Sequence, residues 1–213
     1  FKASAQDTLL DSFDHIVGNV RENEMDQWAA YFENTLDFET FIHFGPGDIS
    51  TKYSALLSKV VRSKDNVIKN PINEPAAGLK KSQIQEFIEQ YHGSGIQHIA
   101  ISTPNILETI RAMRKNGVEF LTVPSTYYDE LKFKGVRIRE NLSDLQELGI
   151  LCDVEDILGT GYLLQLFTKP IGDRPTFFFE IIQRCEGSQG FGHGNFKALF
   201  EAIEREQDLR GNL

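Results

Sequence analysis

The chain has 213 residues and a formal net charge of −9, with 40% hydrophobic residues. That apolar fraction is enough for a folded core and excludes disorder as the default, while the acidic balance argues against nucleic acid or an anionic membrane surface as the main partner. No run of 18 apolar residues occurs, so no transmembrane helix is expected.

The first residue is Phe1 and nothing nearby reads as a signal peptide, so the chain is expected to begin inside a longer protein. Strands are predicted at 13–19, 37–44, 56–61 and 66–72, with a helix over 25–35. Ser82 followed by Gln85 is a capping-box pattern and predicts a helix over 82–91. A strand at 96–102 leads into a helix over 105–115, with Thr103-Pro104 placing proline at a helix's first position and Gly117 ending it. Strands at 119–123, 162–168 and 176–184 follow. The last two are joined through Pro170 and Gly172 and should pair as an antiparallel hairpin. A glycine-rich stretch (187, 190, 192, 194) then precedes a helix over 195–207 with Phe196, Leu199, Phe200 and Ile203 on one face.

A repeat runs through this pattern. Phe13-Asp14-His15-Ile16-Val17-Gly18-Asn19 and Ile96-Gln97-His98-Ile99-Ala100-Ile101-Ser102 read alike, and their histidines are 83 residues apart. An amphipathic stretch follows each, then a short apolar segment. Two copies of a unit of one helix and four strands fit the spacing.

Three residues stand out. His15 and His98 begin the two copies. Glu180 lies in Thr176-Phe177-Phe178-Phe179-Glu180-Ile181-Ile182, where a carboxylate should be buried. A buried charge is costly unless it is paired or binds metal, and no Lys or Arg lies within three residues of it. Glu180 follows His98 by 82 residues, nearly one repeat length, so the three can converge if the units face each other. Two imidazoles and one carboxylate are the ligand set of non-haem Fe(II) oxygenases. They leave the dication with a net charge near +1 and three coordination positions open. A hydrolytic zinc site uses the same set. The plain alternative is two core histidines and a hydrogen-bonded glutamate. His43, His92 and His193 sit beside loops or on polar stretches and read as solvated surface.

Neutral donors form a second set. Gln165 alternates with Leu163 and Phe167 on an apolar face; Gln83, Gln97, Asn73 and Ser58 lie near strand ends or a helix start. Each, taken alone, also reads as a surface or capping group. Phe167 and Phe178 share faces with Gln165 and Glu180 and could stack on an aromatic substrate. Cys152 and Cys185 match no zinc or disulfide framework and point to a reducing, cytoplasmic setting.

Several stretches together carry a resemblance. They are Asp14-His15-Ile16-Val17-Gly18-Asn19, Pro71-Ile72-Asn73-Glu74-Pro75, Lys81-Ser82-Gln83-Ile84-Gln85, Gln97-His98-Ile99-Ala100, Pro124-Ser125-Thr126-Tyr127-Tyr128, Leu164-Gln165-Leu166-Phe167-Thr168-Lys169-Pro170, Asp173-Arg174-Pro175-Thr176, and Gly190-Phe191-Gly192 to Gly194-Asn195-Phe196. They resemble the catalytic, C-terminal half of the 4-hydroxyphenylpyruvate dioxygenase family. The resemblance covers nearly all 213 residues. Between Tyr128 and Asn141 this chain is a few residues shorter than the family.

The resemblance implies an α+β, vicinal-oxygen-chelate (glyoxalase/bleomycin-resistance/dioxygenase) fold. Its paired βαβββ modules, here about 11–95 and 96–186, form an open barrel, with a C-terminal lid and helix over 187–213. The family's N-terminal domain is absent from this chain. Fe(II) ligation falls on His15, His98 and Glu180. Substrate contacts fall on Ser58, Asn73, Gln83, Gln97 and Gln165, with Gln165 and Gln97 at the keto-acid end and Ser58, Asn73 and Gln83 toward the phenol. The aromatic clamp falls on Phe167, Phe178, Phe191 and Phe196, and the C-terminal helix acts as a gate.

The implied reaction is 4-hydroxyphenylpyruvate plus O2 to homogentisate plus CO2, in tyrosine and phenylalanine catabolism. It proceeds by oxidative decarboxylation, ring hydroxylation and side-chain migration. The full-length protein is expected to be a homo-oligomer. The alternatives are 4-hydroxymandelate synthase, which hydroxylates the benzylic carbon, and a metal-free binding module of the same fold. A glyoxalase I type isomerase would need a second carboxylate ligand, for which no good candidate stands out.

Overall fold

The structure is a computed structural model and describes residues 7–45, 55–154 and 161–211. The first strand, β1 (Phe13–Asn19), leads into α1 (Met25–Leu36), β2 (Glu39–Phe44), β3 (Ala55–Arg62) and β4 (Lys69–Ala76). This is one βαβββ module. Its strands lie in the order β2-β3-β4-β1, with β1 parallel to β4 and the other pairs antiparallel. After α2 (Gln83–Tyr91) the pattern recurs as β5 (Gly95–Ser102), α3 (Ile106–Lys115), β6 (Leu151–Val154), β7 (Tyr162–Phe167) and β8 (Phe178–Cys185), in the order β6-β7-β8-β5. The same order in both copies gives the sequence repeat its structural meaning. The chain closes with a 3-10 turn, His193–Asn195, and α6 (Phe196–Leu209).

The second copy carries an insertion that the hydrophobic pattern did not disclose. Residues 119–123, predicted as a strand, form only an isolated bridge, Phe120 to Thr168. Two helices follow, α4 (Ser125–Lys134) and α5 (Leu142–Leu148), before β6 takes the expected place in the sheet. Helix α4 lacks an apolar stripe, and its Phe133 is exposed. Helix α5 is only two turns long and β6 only four residues, too short for a period to register. The predicted proline start of α3 is also corrected. The cap is Asn105, whose side-chain oxygen accepts the Glu108 N–H, so the helix begins after Pro104. At α2, Ser82 caps as predicted by accepting the Gln85 N–H at 3.1 Å. The Gln85 side chain turns instead to Glu89, so the reciprocal half of the box is not made.

Two compact units divide the chain. One, Phe13–Ala100 with Pro170–Phe179 and Ile203–Leu213, packs Met25 and Ala29 of α1 against Val61 and Ile72 of the strands. Glu74, buried, accepts the Met25 N–H at 3.0 Å and so holds the start of α1. In the same unit the end of α6 and the residue after it are tied to α2 and the segment before it. Gln207 Nε2 donates to the Lys81 carbonyl, and Arg210 pairs at 2.8 Å with the buried Glu86.

The other unit, Phe1–Ser12 with Ile101–Lys169 and Glu180–Ala202, packs a core between its helices and strands. Ile106, Ile110 and Met113 make the inner stripe of α3 and meet Leu145 and Leu148 of α5 and Tyr128 and Leu131 of α4. Leu164 and Leu166 of β7 and Ile181 of β8 face them. Every residue of β7 is buried, so its opposite face, Leu163, Gln165 and Phe167, is also covered. A polar side chain on that second face must find partners inside the protein.

Cys152 and Cys185 are buried and unpaired with each other. Burial pushes the Cys152 thiol up to about 12 and also raises Cys185. Both therefore stay protonated and unreactive in the native state at neutral pH. A raised folded pKa stabilises below the unfolded value, near 9.0, and is lost as pH rises above it, because only the unfolded state then releases the proton. Each such group costs about 1.4 kcal/mol per pH unit in that window. The denaturation midpoint should hold level up to about pH 8 and fall above about pH 9. A thiol reagent at neutral pH should modify neither cysteine until denaturant is added. Rapid labelling of the native chain would contradict this burial.

Candidate metal centre

His15 lies mid-strand on β1, His98 mid-strand on β5 and Glu180 on β8, each buried. One ligand atom from each can be chosen so that all three lie within 4.8 Å of one another. The ring centroids of His15 and His98 are 5.8 Å apart with planes nearly perpendicular. Among the described residues this is the group of His, Cys, Asp and Glu side chains able to hold a metal.

The neighbours of the two imidazoles fix the tautomer of each neutral ring. Nδ1 of His15 is 2.7 Å from the Asp14 carboxylate, which in its ionised form only accepts. The neutral ring therefore carries its proton on Nδ1 and presents the Nε2 lone pair. Nδ1 of His98 is 3.0 Å from Oε1 of Gln97, again an acceptor, with the same result. Hydrogen bonding of the remote nitrogen to a carboxylate or carbonyl is how metal-ligating histidines are usually oriented. With Glu180 the donor set is two neutral nitrogens and one anionic oxygen, which suits Fe(II) or Zn(II). The residues present fit a metal ion.

Gln165 and Phe178 adjoin these ligands. On the hairpin β7–β8, Phe167 is in register with Glu180 and Gln165 with Ile182. Gln165 Nε2 donates to Glu180 Oε1 at 3.1 Å. Phe178, two residues before Glu180 on the same face, stacks on the His98 ring at 4.9 Å. Gln97, expected at the keto-acid end, places its side-chain oxygen on His98 Nδ1.

Ser58 and Asn73 form a row on another part of the sheet. By register Asn19 of β1 lies beside Asn73 of β4, and Asn73 opposite Ser58 of β3. Cross-strand partners share a face, and Asn19 shares the face of His15 four residues earlier, about 13 Å along the strand. Asn73 Nδ2 reaches Asn19 Oδ1 at 3.5 Å. Asn19 was not singled out in the sequence, although its i+4 relation to His15 was the signal that could have found it.

Gln83 sits at the first residue of α2, buried. Neither of its side-chain polar atoms, nor Asn19 Nδ2, has a hydrogen-bond partner among the described residues. Phe167 and Phe191 are buried and Phe196 is half-buried. Phe191 lies under the Arg184 guanidinium at 5.8 Å, and Phe196 stacks on Phe200 at 6.3 Å. His43 and His92 are exposed, as expected, and the His193 side chain lies outside the described residues.

The glycine-rich segment before α6 lies flat on β6 and β7. Gly192 has φ +74, and a Cβ there would overlap Gln165 Oε1. A Cβ on Gly194 would overlap the Asp153 carboxylate, which accepts the Gly194 N–H at 3.0 Å. Asn195, 1% exposed, donates from Nδ2 to Gln165 Oε1 at 2.9 Å and accepts on Oδ1 from the Tyr127 hydroxyl at 2.6 Å. Burial raises the Tyr127 phenol well above its usual value, so it remains a donor. Tyr127 and Asn195 had no individual signal in the sequence.

A fold of two βαβββ modules and a site of two histidines and a glutamate define the vicinal-oxygen-chelate class. The sequence model of the Glyoxalase/Bleomycin resistance protein/Dioxygenase superfamily matches residues 12–140, and the chain belongs to that superfamily. Among individual relatives, it is 53% identical over 204 residues to the 4-hydroxyphenylpyruvate dioxygenase of Yarrowia lipolytica, covering 94% of this chain and 51% of that protein. It is 52% identical over 210 residues to the enzyme of the same name from Neurospora crassa, covering 96% and 50%. The chain spans about half the length of the curated relatives it matches. Among solved structures it is similar to a triple mutant of 4-hydroxymandelate synthase from Streptomyces coelicolor. There the TM-score is 0.82 and the identity 32%, over 92% of this chain and 54% of that one. Among the described residues no helix is long and apolar enough to cross a membrane.

Proposed function

We propose that this chain is the catalytic half of an Fe(II)-dependent 4-hydroxyphenylpyruvate dioxygenase. It would convert 4-hydroxyphenylpyruvate and O2 to homogentisate and CO2. The observation that carries this reading is the convergence of His15, His98 and Glu180, with both imidazoles oriented through Nδ1, in a chain about half identical to enzymes of that name.

His15, His98 and Glu180 would hold a ferrous ion, which would supply the redox chemistry for using O2 and decarboxylating the 2-oxo acid. The chain's own residues do the rest. Asp14 and Gln97 hold the histidine rings in the binding tautomer. Gln165, next to Glu180, orients the keto-acid end with its amide. Phe167 and Phe178 hold the ring. Asn19, Asn73 and Ser58, a neutral polar row farther along the face of His15, receive the phenol, and Gln83 adds the further donor and acceptor that now lack partners. A buried polar atom left unpaired costs about 1–3 kcal/mol, so such atoms favour an occupant that can satisfy them. Phe191 and Phe196, at the approach to α6, close the site against water. A cytoplasmic setting goes with the two unpaired cysteines.

Product analysis is the direct test. Purified chain reconstituted with Fe(II) and given 4-hydroxyphenylpyruvate in air should release CO2 and form homogentisate. The likeness to 4-hydroxymandelate synthase makes mandelate formation the second reading, and hydroxymandelate as the main product would overturn the first. Absence of stoichiometric metal binding would favour a metal-free module. Replacing Gln165 by alanine should lower kcat/KM by ~10–100-fold, the effect of losing one or two oriented hydrogen bonds. Full activity in that variant would remove Gln165 from the substrate site.

A further inference from the structure

A chain of hydrogen bonds runs from the edge of the sheet to the candidate metal ligand, all within one compact unit. Cys152 pairs with Leu164 across β6–β7. Its own N–H donates to the Tyr127 hydroxyl at 2.8 Å, and its C=O lies 2.8 Å from the same oxygen, whose single proton is shared between that carbonyl and the closer acceptor, Asn195 Oδ1 at 2.6 Å. The Tyr127 hydroxyl contacts Asn195 Oδ1, Asn195 Nδ2 contacts Gln165 Oε1, and Gln165 Nε2 contacts Glu180 Oε1. The polarity of this chain is dictated at the Glu180 end. An ionised carboxylate only accepts, so Gln165 must present its N–H to it and its oxygen to Asn195. Asn195 must then present its N–H to Gln165 and its oxygen to Tyr127, which must donate. One reversed amide would set oxygen against oxygen at a buried contact.

Asn195 is also fixed through its backbone, its N–H donating to the Gly192 carbonyl in the turn that leads into α6. The two glycines that let this turn lie on β6 and β7 bring its side chain within reach of Gln165.

We propose that Tyr127 and Asn195 are positioning residues for the metal site. They hold the Gln165 amide in the one orientation that donates to Glu180, and thereby fix the carboxylate oxygen offered to a metal. Neither residue touches substrate or metal in this role. The inference rests on the functional reading above only in taking Glu180 as a metal ligand.

The test is Co(II) titration of the purified metal-free chain, followed by calorimetry, on wild type and on Tyr127→Phe, Asn195→Asp and Gln165→Leu. Tyr127→Phe removes the terminal donor. Asn195→Asp keeps an acceptor for Tyr127 but cannot donate to Gln165. Each should weaken Co(II) binding roughly 10-fold, the usual consequence of disturbing the groups that orient a ligand. In the Gln165→Leu background, Tyr127→Phe should weaken it no further, because the two act through one chain. A merely structural Tyr127 would lower the melting temperature of the metal-free chain without this pattern. Unchanged Co(II) affinity in Tyr127→Phe, or effects that add to those of Gln165→Leu, would overturn the proposal. So would a wild-type chain that binds no Co(II). A wild type that binds Co(II) with the expected coupling, yet makes no homogentisate with Fe(II), leaves the positioning role standing and removes the functional reading instead.

Discussion

Replacing Glu180 by glutamine should abolish turnover and weaken metal binding by at least ~100-fold, larger than the effect of disturbing a group that only orients a ligand. Glu180 is the anionic member of the triad, so the variant offers a dication three neutral donors. The substitution is nearly isosteric in a strand that is buried around it, so the fold should survive. Indeed the metal-free variant should be at least as stable as wild type, because a buried carboxylate is expensive when its cation is missing. Metal then separates the two proteins. At a metal concentration 100 times Kd, wild type gains about 2.7 kcal/mol. For a chain of this size that is a rise of roughly 5–10 °C in Tm. The variant, no more than half saturated at the same concentration, should gain about 0.4 kcal/mol or less. Metal-dependent stabilisation and turnover at the wild-type level in Glu180→Gln would refute the triad.

The three candidate ligands stand out in the sequence because each breaks a local rule. A glutamate amid Phe and Ile, and two histidines at matching points of a repeat, are polar groups where strand alternation demands apolar ones. Burial of such groups needs a reason, and the reason is local enough to show in a window of seven residues. The two copies were legible for the same cause, since strand, helix and strand each impose a period. The insertion in the second copy was not. Tyr128 and Leu131 of α4 reach the core, but Phe133 points to solvent, so the helix never writes a stripe. The Tyr127–Asn195–Gln165 chain was invisible because Asn195 follows a glycine-rich turn in which no period assigns a face. Its partner lies 68 residues away on a helix that was itself missed. Gln97 shows a third limit. Alternation puts it on the opposite face of β5 from His98, yet its long side chain reaches back to the neighbouring ring. A rule based on Cβ direction cannot anticipate such a turn.

Glycine 192 is where the turn before α6 and the ligand chain meet, and Gly192→Ala should damage both stability and catalysis. Its φ of +74 is left-handed, which costs an alanine about 1–2 kcal/mol. The added methyl would also occupy the position of Gln165 Oε1, so the amide must swing away or the turn must lift. Either response breaks the Asn195–Gln165 contact, and a buried amide left without its partner costs about 1–3 kcal/mol. Together these predict a fall in Tm of roughly 4–20 °C at about 2–4 °C per kcal/mol. They also predict a loss of at least ~10-fold in kcat/KM through the displaced Gln165. Gly187→Ala is the matched control. Gly187 also has a left-handed φ, +84, but a Cβ there meets nothing within 4 Å. It should pay the conformational cost alone, lowering Tm by a few degrees and leaving kcat/KM within about twofold. Equal losses of activity in the two variants would mean that backbone strain explains Gly192, and that the close approach to Gln165 has no part in holding the site.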